Sequence, residues 1–99
     1  MENRTYGYGR VSSKEQSEDR QLKAFTDYGI NERDIFVDKQ SGKDFDSREQ
    51  YQMLKRMLRE NDILVIKSID RLGRDYKMII EEWQDITKNI KADIKLLNE

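Results

Sequence analysis

Ser12 is a hydroxyl nucleophile set where an extended run gives way to a helix, and Arg10, Arg48, Arg71 and Arg74 stand at comparable corners along the chain. A guanidinium is a planar, permanently charged fork that grips phosphate oxygens and stabilises charge developing in a phosphoryl-transfer transition state. A serine ringed by such groups, with Asp70 beside Arg71, has the parts for phosphoryl transfer. Plainer readings exist for each part. Ser12 and Ser13 fit helix caps, arginines at helix starts commonly form solvated ion pairs, and an Asp70–Arg71 pair is worth about 1 kcal/mol at most. Gln16 and Gln21 fit an exposed helix face. Arg10 is harder to explain away, because it lies at a strand end on the same side as Ser12.

Other chemistries are closed by composition. With His 0 and Cys 0 there is no Ser-His-Asp triad, imidazole base, thiolate nucleophile or His- or Cys-ligated zinc. Gly7-Tyr8-Gly9 lacks the third glycine of a dinucleotide fingerprint, and no P-loop Gly-Lys-Ser/Thr run occurs. Asp70 is the one carboxylate that fits near Ser12, so no metal and no other cofactor is expected.

The elements that must position these groups alternate along the chain. Thr5 to Val11, with aromatic and β-branched residues and two glycines, predicts a strand. Ser13 and Gln16 form a capping box, and Ser17 to Tyr28 predicts a helix with Leu22, Phe25 and Tyr28 inward, closed by Gly29. Asp34 to Asp38 predicts a strand covered on both faces, followed by a long loop over 39–47. Ser47 and Gln50 form a second capping box before a Tyr51, Leu54, Leu58 stripe. Ile63 to Ile66 predicts a central strand, and Tyr76, Ile79, Ile80, Trp83, Ile86 and Ile90 an inward helix stripe. Ala92 to Leu97 predicts a last strand.

That β-α-β-α-β-α-β order predicts an α/β fold, an open, mainly parallel sheet of about four strands flanked by helices in flavodoxin-like layers. The loops after the strands then gather at one edge, bringing Ser12, 39–47 and 67–74 together. The 99 residues make one domain with a thin core, 35% apolar and 39% charged. Net charge of −1 gives no overall basic signal for nucleic acid. No apolar run approaches a membrane span and no signal-peptide pattern opens the chain, so a cytoplasmic protein without membrane contact is expected.

Tyr8-Gly9-Arg10-Val11-Ser12-Ser13-Lys14-Glu15-Gln16-Ser17, Asp38-Lys39-Gln40-Ser41-Gly42, Arg48 and Lys67-Ser68-Ile69-Asp70-Arg71-Leu72-Gly73-Arg74 closely resemble the catalytic domain of the serine recombinases, the resolvase/invertase family. Four separated blocks in the family's order cover most of the chain. The resemblance implies a site-specific DNA recombinase in which Ser12 attacks a phosphodiester, forming a 5′-phosphoserine linkage and freeing a 3′-hydroxyl. Bond energy kept in that linkage lets religation proceed without ATP or metal. By position, Arg10, Arg48, Arg71 and Arg74 correspond to the family's phosphate-binding and transition-state arginines, and Asp70 to its active-site aspartate. Gln16 and Gln21 correspond to glutamines of the family pattern, entered here as substrate-binding. The implied partners are crossover-site DNA and further copies of the chain, as dimer and tetramer.

A dense positive field lowers the pKa of a serine hydroxyl without an imidazole. The proton acceptor stays open, Asp70 being one candidate. Two departures from the family stand out. The family continues into a long dimerisation helix and, in most members, a DNA-binding domain. Residues 1–99 are therefore expected to be a truncated catalytic core, inactive in isolation. The Ser12-Ser13 pair also makes the nucleophile depend on motif register. Two other classes compete: an inactive regulatory or interaction domain on the same fold, and a flavodoxin-like or response-regulator-like binder. The second predicts clustered acidic residues after the first strand, where Arg10 and Ser12 stand instead.

Overall fold

In a computed structural model, residues 3–11, 18–39, 48–73 and 75–97 are described. Strand β1 (Thr5–Val11) leads to helix α1 (Glu18–Tyr28), and strand β2 (Ile35–Lys39) to helix α2 (Glu49–Met57). Strand β3 (Ile63–Ile66) is followed by a 3-10 turn (Ile69–Arg71), helix α3 (Tyr76–Gln84), a π-helical turn (Asp85–Ile90) and strand β4 (Asp93–Leu96). The four strands form one all-parallel sheet in the order β2-β1-β3-β4, the α/β architecture expected from the alternation.

Chain direction across the sheet reverses between β1 and β3. In folds of this kind ligands bind outside the carboxyl ends of the strands that flank such a point. The pleat divides the core. Tyr6, Tyr8, Phe36, Leu64 and Ile66 pack with Tyr51, Leu54 and Leu58 of the α2 segment and with Leu72, Ile86 and Ala92. On the opposite face Phe25 and Ile30 pack with Val65.

Several local expectations need correction. Tyr28 is 47% exposed rather than inward, because Gly29 at φ +115° ends α1 beside it. Strand β2 is fully buried on one side only, at Phe36 and Asp38, while Ile35 and Val37 are half-buried. Asp34 belongs to a preceding 3-10 turn (Glu32–Asp34). The α3 stripe does not sink into the core as a whole. Ile86 is buried and Ile90 partly so, whereas Tyr76 is 77% exposed and no residue of α3 itself is fully buried. Helical periodicity gives a helix its apolar side, but neighbouring elements decide how much of that side they cover.

Candidate active site

The described candidate residues stand on separate elements, at or near the ends that follow or face the carboxyl edge of the sheet. Arg10 is the penultimate residue of β1 and lies in register with Asp38 of β2. Arg48 stands at the N-terminus of α2, and Arg71 closes the 3-10 turn after β3. Asp70 lies in that turn, its side chain outside the described residues. Ser12, Gln16 and Arg74 also lie outside them, as does Ser47 of the second capping box.

Arg48 is 2% exposed. Its Nη1 donates to the carbonyls of Arg71 and Leu72, each at 3.2 Å, and its guanidinium carbon lies 4.2 Å from the Tyr51 ring centroid. The cation therefore fastens α2 to the segment carrying Arg71, with the aromatic face offsetting part of its desolvation. Arg71 is half-buried, and its N–H donates to Ser68 O at 3.1 Å.

Gln21, whose spacing fits an exposed helix face, is instead 5% exposed. Its Nε2 donates to Arg10 O at 3.3 Å. The amide thus reaches the β1 end from α1.

Three further groups shape the edge and were not singled out from the sequence. Asp38 Oδ2 accepts the Tyr8 hydroxyl at 2.8 Å and Tyr51 N–H at 3.1 Å, while Oδ1 accepts Gln50 N–H at 3.0 Å. A carboxylate from β2 thereby caps α2, whose free N–H groups attract negative charge. The Tyr8 and Tyr51 rings pack at 5.1 Å between centroids. Burial, then the hydrogen bonds to Asp38 and Glu82 respectively, push both phenols well above the ordinary tyrosine range. Both therefore act as neutral donors. The signal for Asp38 was its place at the end of an otherwise apolar strand; for Tyr8, an alternating strand position facing the same side as Arg10.

Among the described residues, no group of three or more Asp, Glu, His or Cys is placed to hold a metal ion, and no helix is long and apolar enough to cross a membrane.

The family model "Resolvase, N terminal domain" matches residues 5–99. Transposon Tn3 resolvase of Escherichia coli is 42% identical over 78 residues, covering 79% of this chain and 42% of the relative. A resolvase/recombinase of Pseudomonas putida is 40% identical over 86 residues, covering 84% and 47% respectively. Transposon Tn917 resolvase of Enterococcus faecalis is 40% identical over 76 residues, covering 77% and 40%. The chain spans less than half the length of these relatives.

Proposed function

The chain belongs to the resolvase family, matching its N-terminal domain, and from that premise we propose that it is the catalytic domain of a site-specific DNA recombinase acting through a serine nucleophile. The observation that supports this reading is the placement of Arg10 near the end of β1, Arg48 at the N-terminus of α2 and Arg71 in the turn after β3, with Arg48 bonded to the Arg71 carbonyl. Ser12 follows Val11, the last residue of β1, by one position in the chain.

In this mechanism the Ser12 hydroxyl attacks a DNA phosphorus. The serine–phosphorus bond forms as the bond to the 3′ oxygen breaks, and the departing 3′ oxygen takes up a proton. The product is a 5′-phosphoserine linkage and a 3′-hydroxyl; attack by a 3′-hydroxyl reverses the step and rejoins strands. Arg10, Arg71 and Arg74 hold phosphate oxygens and stabilise the transition-state charge. Arg48 contributes its positive field and sets the Arg71 segment. Asp70 is assigned to the reacting edge, and Gln16 to the substrate side. Religation from the covalent linkage needs no ATP. The partners are crossover-site DNA and other copies of the chain, two per site and four in the recombining assembly.

The test is covalent trapping. The protein as encoded is incubated with labelled DNA from the ends of its own element, denatured, and examined for protein on the 5′ end. An adduct lost in Ser12→Ala and kept in Ser13→Ala supports the reading. Loss with Ser13→Ala alone moves the nucleophile by one residue. Absence of any adduct on DNA that the protein binds favours a non-catalytic interaction domain.

A further inference from the structure

Two glycines of β1 and two side chains of α1 interlock. A Cβ on Gly7 would lie 3.1 Å from Phe25 ring carbons, and one on Gly9 would lie 2.4 Å from Gln21 Oε1. Four helical residues advance about 6 Å and two strand residues about 6.6 Å. Gln21 and Phe25, one turn apart, therefore meet alternate strand positions. Phe25 serves the core. On packing grounds alone the Gln21 position would also take an apolar side chain, yet it holds a buried amide. Its Nε2 reaches Arg10 O, while its Oε1 accepts no hydrogen bond among the described residues. A buried amide oxygen left in that state lowers stability, so packing does not account for the choice.

The strand end explains what the amide does. β3 pairs with β1 only as far as Tyr8↔Ile66. Gly9, Arg10 and Val11 run past it, with β2 as their one strand partner, through Gly9↔Val37, Arg10↔Asp38 and Val11↔Lys39. This one-sided end carries Arg10 and leads towards Ser12.

Resting on the recombinase reading above, we propose that Gln21 is a positioning residue: its amide, seated on Gly9, ties down the Arg10 carbonyl and fixes the end of β1, without itself touching DNA. Gly9 is the matched half of this device, because any side chain there would displace the amide.

The experiment compares Gln21→Leu, Gln21→Glu and Gly9→Ala with the unsubstituted protein as encoded. Three quantities are read: amide hydrogen exchange at Arg10 and Val11, DNA affinity, and the rate of covalent adduct formation. Gln21→Leu is expected to keep its melting temperature and bind DNA within about twofold, while exchange at the strand end and loss of adduct rate each reach about tenfold. Gly9→Ala is expected to show the same pattern. Gln21→Glu can donate to Arg10 O only as the protonated acid. Its adduct rate relative to the unsubstituted protein should approach unity at low pH and fall as pH rises through the glutamate pKa while its melting temperature holds, whereas a carboxylate that only loosened the packing would lower both together. That ratio also decides the matter where the leucine variant fails to fold.

Strand-end exchange and adduct rate both unchanged in Gln21→Leu would overturn the proposal, as would weakened DNA binding with exchange unchanged, which marks a substrate contact. If the unsubstituted protein forms no adduct, the recombinase reading fails, and exchange at Arg10 and Val11 still decides whether Gln21 holds the strand end.

Discussion

The Tyr8 hydroxyl donates to Asp38 Oδ2 at 2.8 Å, joining β1 to β2 beneath the N-terminus of α2. The same carboxylate accepts the N–H groups of Gln50 and Tyr51, so one side chain ties a central strand, an edge strand and a helix start. Tyr8→Phe removes one of three bonds and leaves the cap in place; a loss of about 1–2 kcal/mol is expected. Asp38→Ala removes the cap and strands the buried phenol, and about 3 kcal/mol or more is expected. Urea unfolding of both variants checks the order. Equal losses would mean that the phenol bond, rather than the helix cap, dominates.

Much of this arrangement was legible beforehand because periodicity and chain order are local signals. The strands at Thr5, Ile35 and Ile63 were readable from β-branched and aromatic runs, and Gly29 from its place after an amphipathic stretch. Alternation also gave the order of the elements that carry Arg10, Arg48 and Arg71. What escaped depends on partners distant in sequence. Asp38 looked like the polar end of a strand, and only the returning α2 turns it into a cap. Gln21 was a candidate through the family resemblance, but its burial was not legible, because its own helix reads as surface there and the space that takes it is created by Gly9. The Tyr76 to Ile80 stripe is apolar in pattern, yet no described element covers it fully.

Gly73 offers a test of close packing next to the turn that carries Arg71. It is buried, and a Cβ there would lie 2.8 Å from Met78 Cβ and 2.9 Å from Ile79 N. The second contact is backbone in the first turn of α3 and cannot yield by a rotamer change. Gly73→Ala is therefore expected to lose about 1–3 kcal/mol, more than Gly7→Ala, which presses on the Phe25 ring at 3.1 Å. Thermal unfolding of the two variants gives the comparison, and a more damaging Gly7→Ala would contradict it.

Lys55 bridges α2 to the α3 end through Glu82 at 2.9 Å and Asp85 at 2.6 Å. Hydrogen bonds from Lys55 and then Asn89 hold the Asp85 carboxyl below its ordinary 3.8. Its contribution to stability is present above that value and is lost as pH falls through the lower folded pKa. Burial alone would lower the Lys55 pKa, but its bonds to Asp85 and Glu82 outweigh burial and raise it above 10.5. Its contribution is complete below 10.5 and is lost as pH rises through the higher folded value. Lys55→Met should flatten stability against pH on both limbs. Urea midpoints measured across the acid and alkaline ranges test this, and an unchanged acid limb would assign that limb to other carboxylates.

Arg48 and Arg71 should separate when stability and chemistry are measured side by side. Arg48 is sealed against Tyr51 and donates to two carbonyls, so Arg48→Met removes the cation together with the donor that fixes residues 71 and 72. A destabilisation of about 2–4 kcal/mol is expected, with adduct formation falling as the Arg71 segment loosens. Arg71 is more open, and its backbone carbonyl rather than its side chain receives the Arg48 bond. Arg71→Ala should stay within about 1 kcal/mol of the unsubstituted stability. In the proposed mechanism its effect is expected in the transition state, where losing one charged donor costs about a hundredfold in rate. Urea unfolding and covalent trapping on the same preparations distinguish the two roles. An Arg48→Met variant of full stability with no adduct would place Arg48 on the phosphate instead, and a strongly destabilised Arg71→Ala would make Arg71 a structural residue.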